Sequence, residues 1–269
     1  MAGAPAALLA ALQGRPIERP LRAPLLAALA AEVEELDVSD FLSDAGKRSR
    51  ILAGLASTMP IDVLVLDSGS GWDAQAAGVD SRFDPARGGA PVILDLLQRA
   101  RAVVPDTVSL AVTLTGPCSL GLPMPTQFVL AAATAVAEAG AGVIIVREGG
   151  AAEVDPAVYL AGTAPLWRSL QFFRSVGVLH VVGPADKWAG VLASAGPFLP
   201  VFSARDSPGV AAAVAAAGRP YGLALSPSVS ASSAGPLAPE RCALLTHDRD
   251  LGGQVPVRDA AALVAAMSI

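Results

Sequence analysis

The chain carries two histidines, His180 and His247, and both fall at or near the end of an apolar run. An imidazole is the side chain best suited to moving protons near neutral pH. Two carboxylates hold comparable positions: Asp67 after Ile61–Leu66, and Glu148 just beyond Gly142–Val146. Such groups can work as general acids and bases. Three arginines, Arg22, Arg205 and Arg249, supply guanidinium groups that pair bidentately with carboxylates. Catalysis by Asp67, Glu148, His180 and His247, with substrate held by those arginines, is the chemistry these residue types allow.

The remaining polar residues at run ends are Ser68, Thr115-Gly116-Pro117-Cys118, Arg147, Asp206, Ser226, Ser228, Asp248 and Asp250. A structural role competes at each place. Asp67 can cap the next segment, and Arg147 and Glu148 can form ion pairs that perturb pKa values without catalysis. His180 sits within Val-Leu-His-Val-Val, where a hydrogen-bonded core histidine is the plain reading. Cys118 reads as a small buried hydrophobe. Neither a Walker loop nor a Gly-x-Gly-x-x-Gly pattern follows any run, so no cofactor is expected.

The elements that must position these groups come in two alternating kinds. Short runs apolar on both faces occur at Ile61–Leu66, Val108–Leu114, Gly142–Val146, Val176–Val182, Leu199–Phe202, Tyr221–Leu225 and Cys242–Leu245. They suit strands buried on both faces of a parallel sheet. Between them, helical spacing marks Asp44–Ser57, Val92–Val103, Thr126–Ala139, Pro156–Phe173, Asp186–Ala195, Pro208–Ala217 and Val257–Met267. With a weaker extended segment at Arg19–Pro24, the chain divides into eight strand–helix units of about 34 residues each. Eight such units most simply close into a single-domain (β/α)8 TIM barrel spanning residues 1–269, an α/β fold whose chemistry collects at the C-terminal strand ends. A doubly wound open sheet is the alternative. The stretch Ser226–Pro239, rich in Pro, Gly and Ser, reads as a loop over the barrel.

Composition sets the outer bounds. A chain of 269 residues, 53% hydrophobic and 16% charged, is neither disordered nor in need of staples. Its 19 basic and 24 acidic residues give a net charge of −5 and no basic footprint, which argues against a nucleic-acid partner. Two cysteines, Cys118 and Cys242, make neither a disulfide framework nor zinc-finger spacing; they read as reduced thiols of a cytoplasmic protein. The start has no positive n-region, which argues against a secretory signal. Phe128–Val146 is the most membrane-like stretch, but Glu138 and the Ala-Gly-Ala-Gly break at 139–142 divide it into helix, turn and strand. No membrane partner is expected.

Several segments, in order, resemble the uroporphyrinogen decarboxylase superfamily, which includes methylcobamide:thiol methyltransferases. The opening Leu8-Leu9-Ala10-Ala11-Leu12-Gln13-Gly14-Arg15-Pro16 with Arg19-Pro20 is similar to its short helix, turn and first strand. Pro60–Asp67 with Ala76-Ala77-Gly78-Val79 resembles its second strand, and Leu114-Thr115-Gly116-Pro117-Cys118-Ser119 its third-strand turn. Ala139–Ile144 resembles the entry to strand four, and Val178-Leu179-His180-Val181-Val182-Gly183 the family's fifth strand. Leu244-Leu245-Thr246, Leu251-Gly252 and Val255-Pro256 resemble its closing strand, loop and helix. The resemblance covers nearly the whole chain and implies a (β/α)8 barrel, which can pair as a homodimer.

The departures bear on function. The resemblance implies zinc held by His-x-Cys in strand five and a second cysteine near strand eight. Here His180 stands, but Val182 and Arg249 occupy the two cysteine positions, so no metal is expected. The decarboxylases' arginine-rich loop after strand one is reduced to Leu21-Arg22-Ala23-Pro24, and Gly69 aligns with their pyrrole-binding aspartate, near Asp67. The chain is also short around Gly78–Pro91 and Leu122–Thr126. The leading expectation is a decarboxylase-like barrel acting on a tetrapyrrole or another carboxylate-bearing small molecule. The alternatives are a corrinoid-linked methyltransferase lacking the usual zinc ligands, and a barrel that binds a ligand without catalysis.

Overall fold

The β-branched runs become eight parallel strands in the computed structural model, which describes residues 3–67, 71–77, 82–121, 126–151, 153–226, 239–248, 250–253 and 255–267. They are β1 (Leu21–Ala23), β2 (Val63–Val65), β3 (Ser109–Thr115), β4 (Val143–Gly149), β5 (Val176–Val182), β6 (Leu199–Phe202), β7 (Tyr221–Leu225) and β8 (Cys242–His247). They pair in the order β1-β8-β7-β6-β5-β4-β3-β2, every pair parallel. The two ends of that order meet: Leu25 bridges Val65, and the Asp62 amide donates to the Arg22 carbonyl at 3.0 Å. The sheet is therefore a (β/α)8 barrel. An open doubly wound sheet would leave β1 and β2 on opposite edges.

The helices are α1 (Ala4–Leu12), α2 (Ala27–Val33), α3 (Val38–Ser43), α4 (Ala45–Thr58), α5 (Trp72–Gln75), α6 (Ala90–Val103), α7 (Thr126–Glu138), α8 (Pro156–Phe172), α9 (Ala189–Leu192), α10 (Pro208–Ala217) and α11 (Val257–Ala265). Their ends follow capping chemistry. Asp44 accepts from the Lys47 amide to start α4, and Asp155 accepts from the Ala157 and Val158 amides to start α8. The helix expected over Asp186–Ala195 is instead a 3-10 turn at Asp186–Trp188 followed by the single turn of α9. Burial of Trp188 edge-on against Tyr159, 5.0 Å between centroids, overrides local helical spacing there. The membrane-like stretch resolves into α7 and β4, joined through Gly140 at φ +106°. Among the described residues no helix is long and apolar enough to cross a membrane.

Period-two alternation sorts strand residues between two apolar clusters. Val63, Val65, Ala111, Val143, Ile145, Val176, Val178, Leu199, Val201 and Leu244 fill the barrel lumen, closed below by Ala4, Leu8 and Ala11 of α1. Gly142 lets that plug seat, since a Cβ there would lie 2.8 Å from Pro5 Cγ. Leu64, Leu110, Val112, Ile144, Val146, Leu179 and Leu245 face the helices instead. Continuing the same alternation places Asp67, Thr113, Arg147 and His180 on the lumen side near the C-terminal mouth. Glu148 and His247 fall on the helix side.

Candidate active site at the barrel mouth

The strand ends gather charge. Asp67, at the end of β2, is fully buried and accepts from Thr113 Oγ1 at 3.1 Å. Behind it, Arg48 of α4 brings Nη2 to 3.6 Å from Asp67 Oδ1 while donating to the carbonyls of Leu66 at 2.7 Å and Leu42 at 2.9 Å. In front, Arg147 donates through Nη2 to the Asp248 carbonyl at 3.2 Å. Burial lowers the Arg147 pKa, while Asp67, Asp248 and Asp250 oppose that shift and favour the charged guanidinium.

Strand register places Thr115, Arg147 and His180 side by side on β3, β4 and β5. His180 is 1% exposed, and its Nε2 finds no hydrogen-bond partner among the described residues. Burial, then the nearby Arg147 charge, pushes its pKa down to about 3. His247 is equally buried, and burial pushes it to about 4. At neutral pH both are uncharged imidazoles.

Glu148 occupies a different environment from its neighbour Arg147. Its carboxylate accepts from the Cys118 amide at 3.1 Å, the Ser119 amide at 2.9 Å, Ser119 Oγ at 2.7 Å and Tyr159 OH at 3.2 Å. Burial raises the Glu148 pKa against those four bonds. The turn from Gly116 to Ser119 is thus folded around a buried carboxylate. Gly116 is required there, because a Cβ would fall 2.1 Å from Glu148 Cδ. The Cys118 thiol is pushed up to about 11 by burial and by Glu148, so it is not a ready nucleophile.

A cleft of about 200 Å³ opens over β3, β4 and β5, walled by Asp73, Thr115, Ser119, Arg147, Glu148 and Val182 among others. Asp73 of α5 is 1% exposed and accepts from the Thr115 amide at 2.6 Å and Thr115 Oγ1 at 2.9 Å. Burial raises its pKa despite those bonds. Trp72 beside it donates through Nε1 to the Thr113 carbonyl at 3.1 Å, which pins α5 to β3.

Of the residues expected to act, Asp67 and His180 thus lie on the lumen side near the mouth, and Glu148 lines the cleft. His247 is buried on the helix side of β8. Arg22 turns outward, donating to the carbonyls of Met267 at 3.1 Å and Ala265 at 3.3 Å at the C-terminal end of α11. Arg205 is exposed in the loop after β6. Arg249, Ser68, Gly69 and Ser228 lie outside the described residues, as do most of the loop at 226–239 and positions 78–81 and 122–125. Sequence reasoning passed over Arg48, Asp73 and Tyr159. The first and last stand on helix faces that read as core, and α5 is too short to show periodicity.

Zinc, which the family resemblance implies for methyltransferases, does not fit this site. Among the described residues no three His, Cys, Asp or Glu side chains could hold a metal ion. His180 has Val182, not a thiol, two positions on.

The fold is a (β/α)8 barrel with a cleft at the C-terminal ends of its strands. No protein-family model matches the chain, and no curated protein matches its sequence. Solved structures do match it in fold. A methyltransferase from Methanosarcina mazei superposes with a TM-score of 0.75 at 16% identity, covering 99% of this chain and 98% of that one. The homocysteine methyltransferase MmuM from Escherichia coli gives 0.57 at 15% identity, over 96% and 99% of the two chains. A 2,3-dimethylmalate lyase gives 0.55 at 14% identity, over 99% and 87%. At these identities the likeness is one of fold.

Proposed function

We propose that the chain is a methyl-transferring barrel enzyme that holds a small polar molecule at its C-terminal mouth and works without a zinc-bound thiolate. The supporting observation is the end-to-end likeness to the Methanosarcina mazei methyltransferase, at TM-score 0.75 against 0.55 for the lyase barrel. The decarboxylase reading has less behind it. Arg22 is engaged at the end of α11, and Arg205 is exposed, so neither brings a guanidinium to the cleft wall.

Methyl transfer is a displacement. The bond from methyl to donor atom breaks with its electron pair staying on the donor, while a lone pair of the acceptor makes the new bond. The protein's share is to align the two partners and keep water out. In this reading Arg147 and Asp73 bind and orient the small partner. Glu148 holds the third-strand turn in shape through its four donors, and His180 presents a neutral imidazole to the lumen near the mouth. A corrinoid, if one binds at the mouth, would supply or accept the methyl group, with the cleft of about 200 Å³ beside it. The cleft suits the smaller partner.

The test is turnover with methylcobalamin, and separately with S-adenosylmethionine, each offered a panel of thiols and amines. Methylated product, reduced at least about tenfold by Arg147→Met, is the expected result. No methylated product with any pair, alongside decarboxylation of uroporphyrinogen, would overturn the reading in favour of the lyase. Neither product would leave a ligand-binding barrel.

A further inference from the structure

A carboxylate taken out of water without a counter-cation is costly, and such a group at a cavity wall marks where a ligand cation belongs. Asp73 meets that description. It is 1% exposed, its bonds come from Thr115, and no Lys, Arg or His reaches ion-pair distance among the described residues. Two protein donors leave room on its oxygens for more, because a carboxylate can accept roughly four. Glu148, in the same wall, is already filled by four donors.

The cation on the cleft wall is Arg147. Thr115, which holds Asp73, is the register partner of Arg147. Asp73 and Arg147 thus reach the same cleft from neighbouring strand ends, Asp73 through Thr115 on β3 and Arg147 from β4. The volume of about 200 Å³ equals roughly seven waters of liquid at ~30 Å³ each. That is room for a group of amino-acid size.

We infer that the cleft over β3, β4 and β5 binds an amino-acid-like zwitterion, its ammonium group on Asp73 and its carboxylate toward Arg147. This rests on the methyl-transfer reading and names the small partner in it. Thr115 and Ser119, at the same wall, add hydroxyl groups beside the two charges.

The experiment is isothermal titration of the full chain with the twenty standard amino acids and L-homocysteine, each to about 10 mM. The tightest binder is then compared with its decarboxylated amine and its deaminated acid. At least one amino acid should bind, with both one-ended analogues weaker by about tenfold or more. Asp73→Asn should weaken the amino acid and the amine, and Arg147→Met the amino acid and the acid. Absence of binding by every amino acid, or an analogue binding as tightly as its parent, overturns the inference. Should either variant fail to fold, the analogue comparison on the unaltered protein still decides. An amino acid that binds without being methylated or demethylated leaves this inference standing and removes the methyl-transfer reading. Methyl transfer confined to partners that are not zwitterions does the reverse.

Discussion

Arg48 reaches out of the helix layer to within 3.6 Å of Asp67, and the two side chains are 2% and 1% exposed. A charged pair in the layer between strands and helices carries a large desolvation cost, partly offset because Arg48 also donates to two backbone carbonyls. The arrangement ties the segment just after β2 to α3 and α4 from behind.

Removing one member of that pair should therefore be worse than removing both. Arg48→Met is expected to cost about 3–5 kcal/mol, since it takes the ion-pair partner of α4 from a buried carboxylate. Arg48→Met combined with Asp67→Leu should cost less than the first change alone. Urea unfolding of the two singles and the double reads the coupling directly. Strictly additive losses would mean the pair is incidental.

The turn built on Glu148 makes a second, local prediction. Gly116→Ala should destabilise by about 1–3 kcal/mol, because its Cβ would lie 2.1 Å from Glu148 Cδ. Gly149→Ala is the control: its Cβ would meet nothing nearer than Ser119 Oγ at 3.9 Å, and its effect should be small. Thermal melts of the two variants side by side check this. Equal losses would remove the claim that Glu148 shapes the turn.

Two buried neutral histidines make the fold acid-sensitive. Their folded pKa values, about 3 for His180 and about 4 for His247, lie below the unfolded value of 6.5. Below pH 6.5 the unfolded chain therefore binds more protons, and stability falls as pH drops toward those folded values. Each histidine contributes a slope of up to about 1.4 kcal/mol per pH unit in that window. Asp73 and Glu148, whose pKa values are raised, act in the opposite sense, so the wild-type curve alone is ambiguous. His180→Gln isolates the effect: its unfolding free energy between pH 6 and 4.5 should fall less steeply than that of the unaltered protein. Parallel curves would show that His180 is protonated in the folded state.

Much of this was legible in the sequence. Strands buried on both faces announce themselves as short apolar runs, and β5, β6 and β7 begin and end where those runs do. The groups at the mouth were legible in part, because a polar residue after such a run is conspicuous: Asp67, Arg147, Glu148 and His180 all stand out that way. Which way each side chain turns was not. Arg147 and Glu148 are adjacent, yet one joins the charges of the mouth and the other anchors a turn. Arg22 reads as a mouth arginine until the end of α11 is seen to take its donors. Asp73 gave no signal, because α5 is four residues long and is held by Trp72 and Thr115, not by any pattern of its own.

The missing metal set gives the last prediction. A zinc-activated thiol needs at least three protein donors around the ion, and the resemblance places a cysteine two residues after the strand-five histidine. Here that position is Val182, which leaves His180 Nε2 without a second donor on its own strand. A neutral imidazole is a competent metal ligand, so His180 itself is no obstacle; the shortage is of partners. Elemental analysis of the purified protein should find no stoichiometric zinc, and 1,10-phenanthroline should leave the melting temperature unchanged. Added zinc should likewise fail to raise it, since a ligand that binds the folded state must stabilise it by mass action. One tightly held zinc per chain, with a melting temperature that drops on chelation, would show a donor set built around something other than His-x-Cys and would return thiolate chemistry to this mouth.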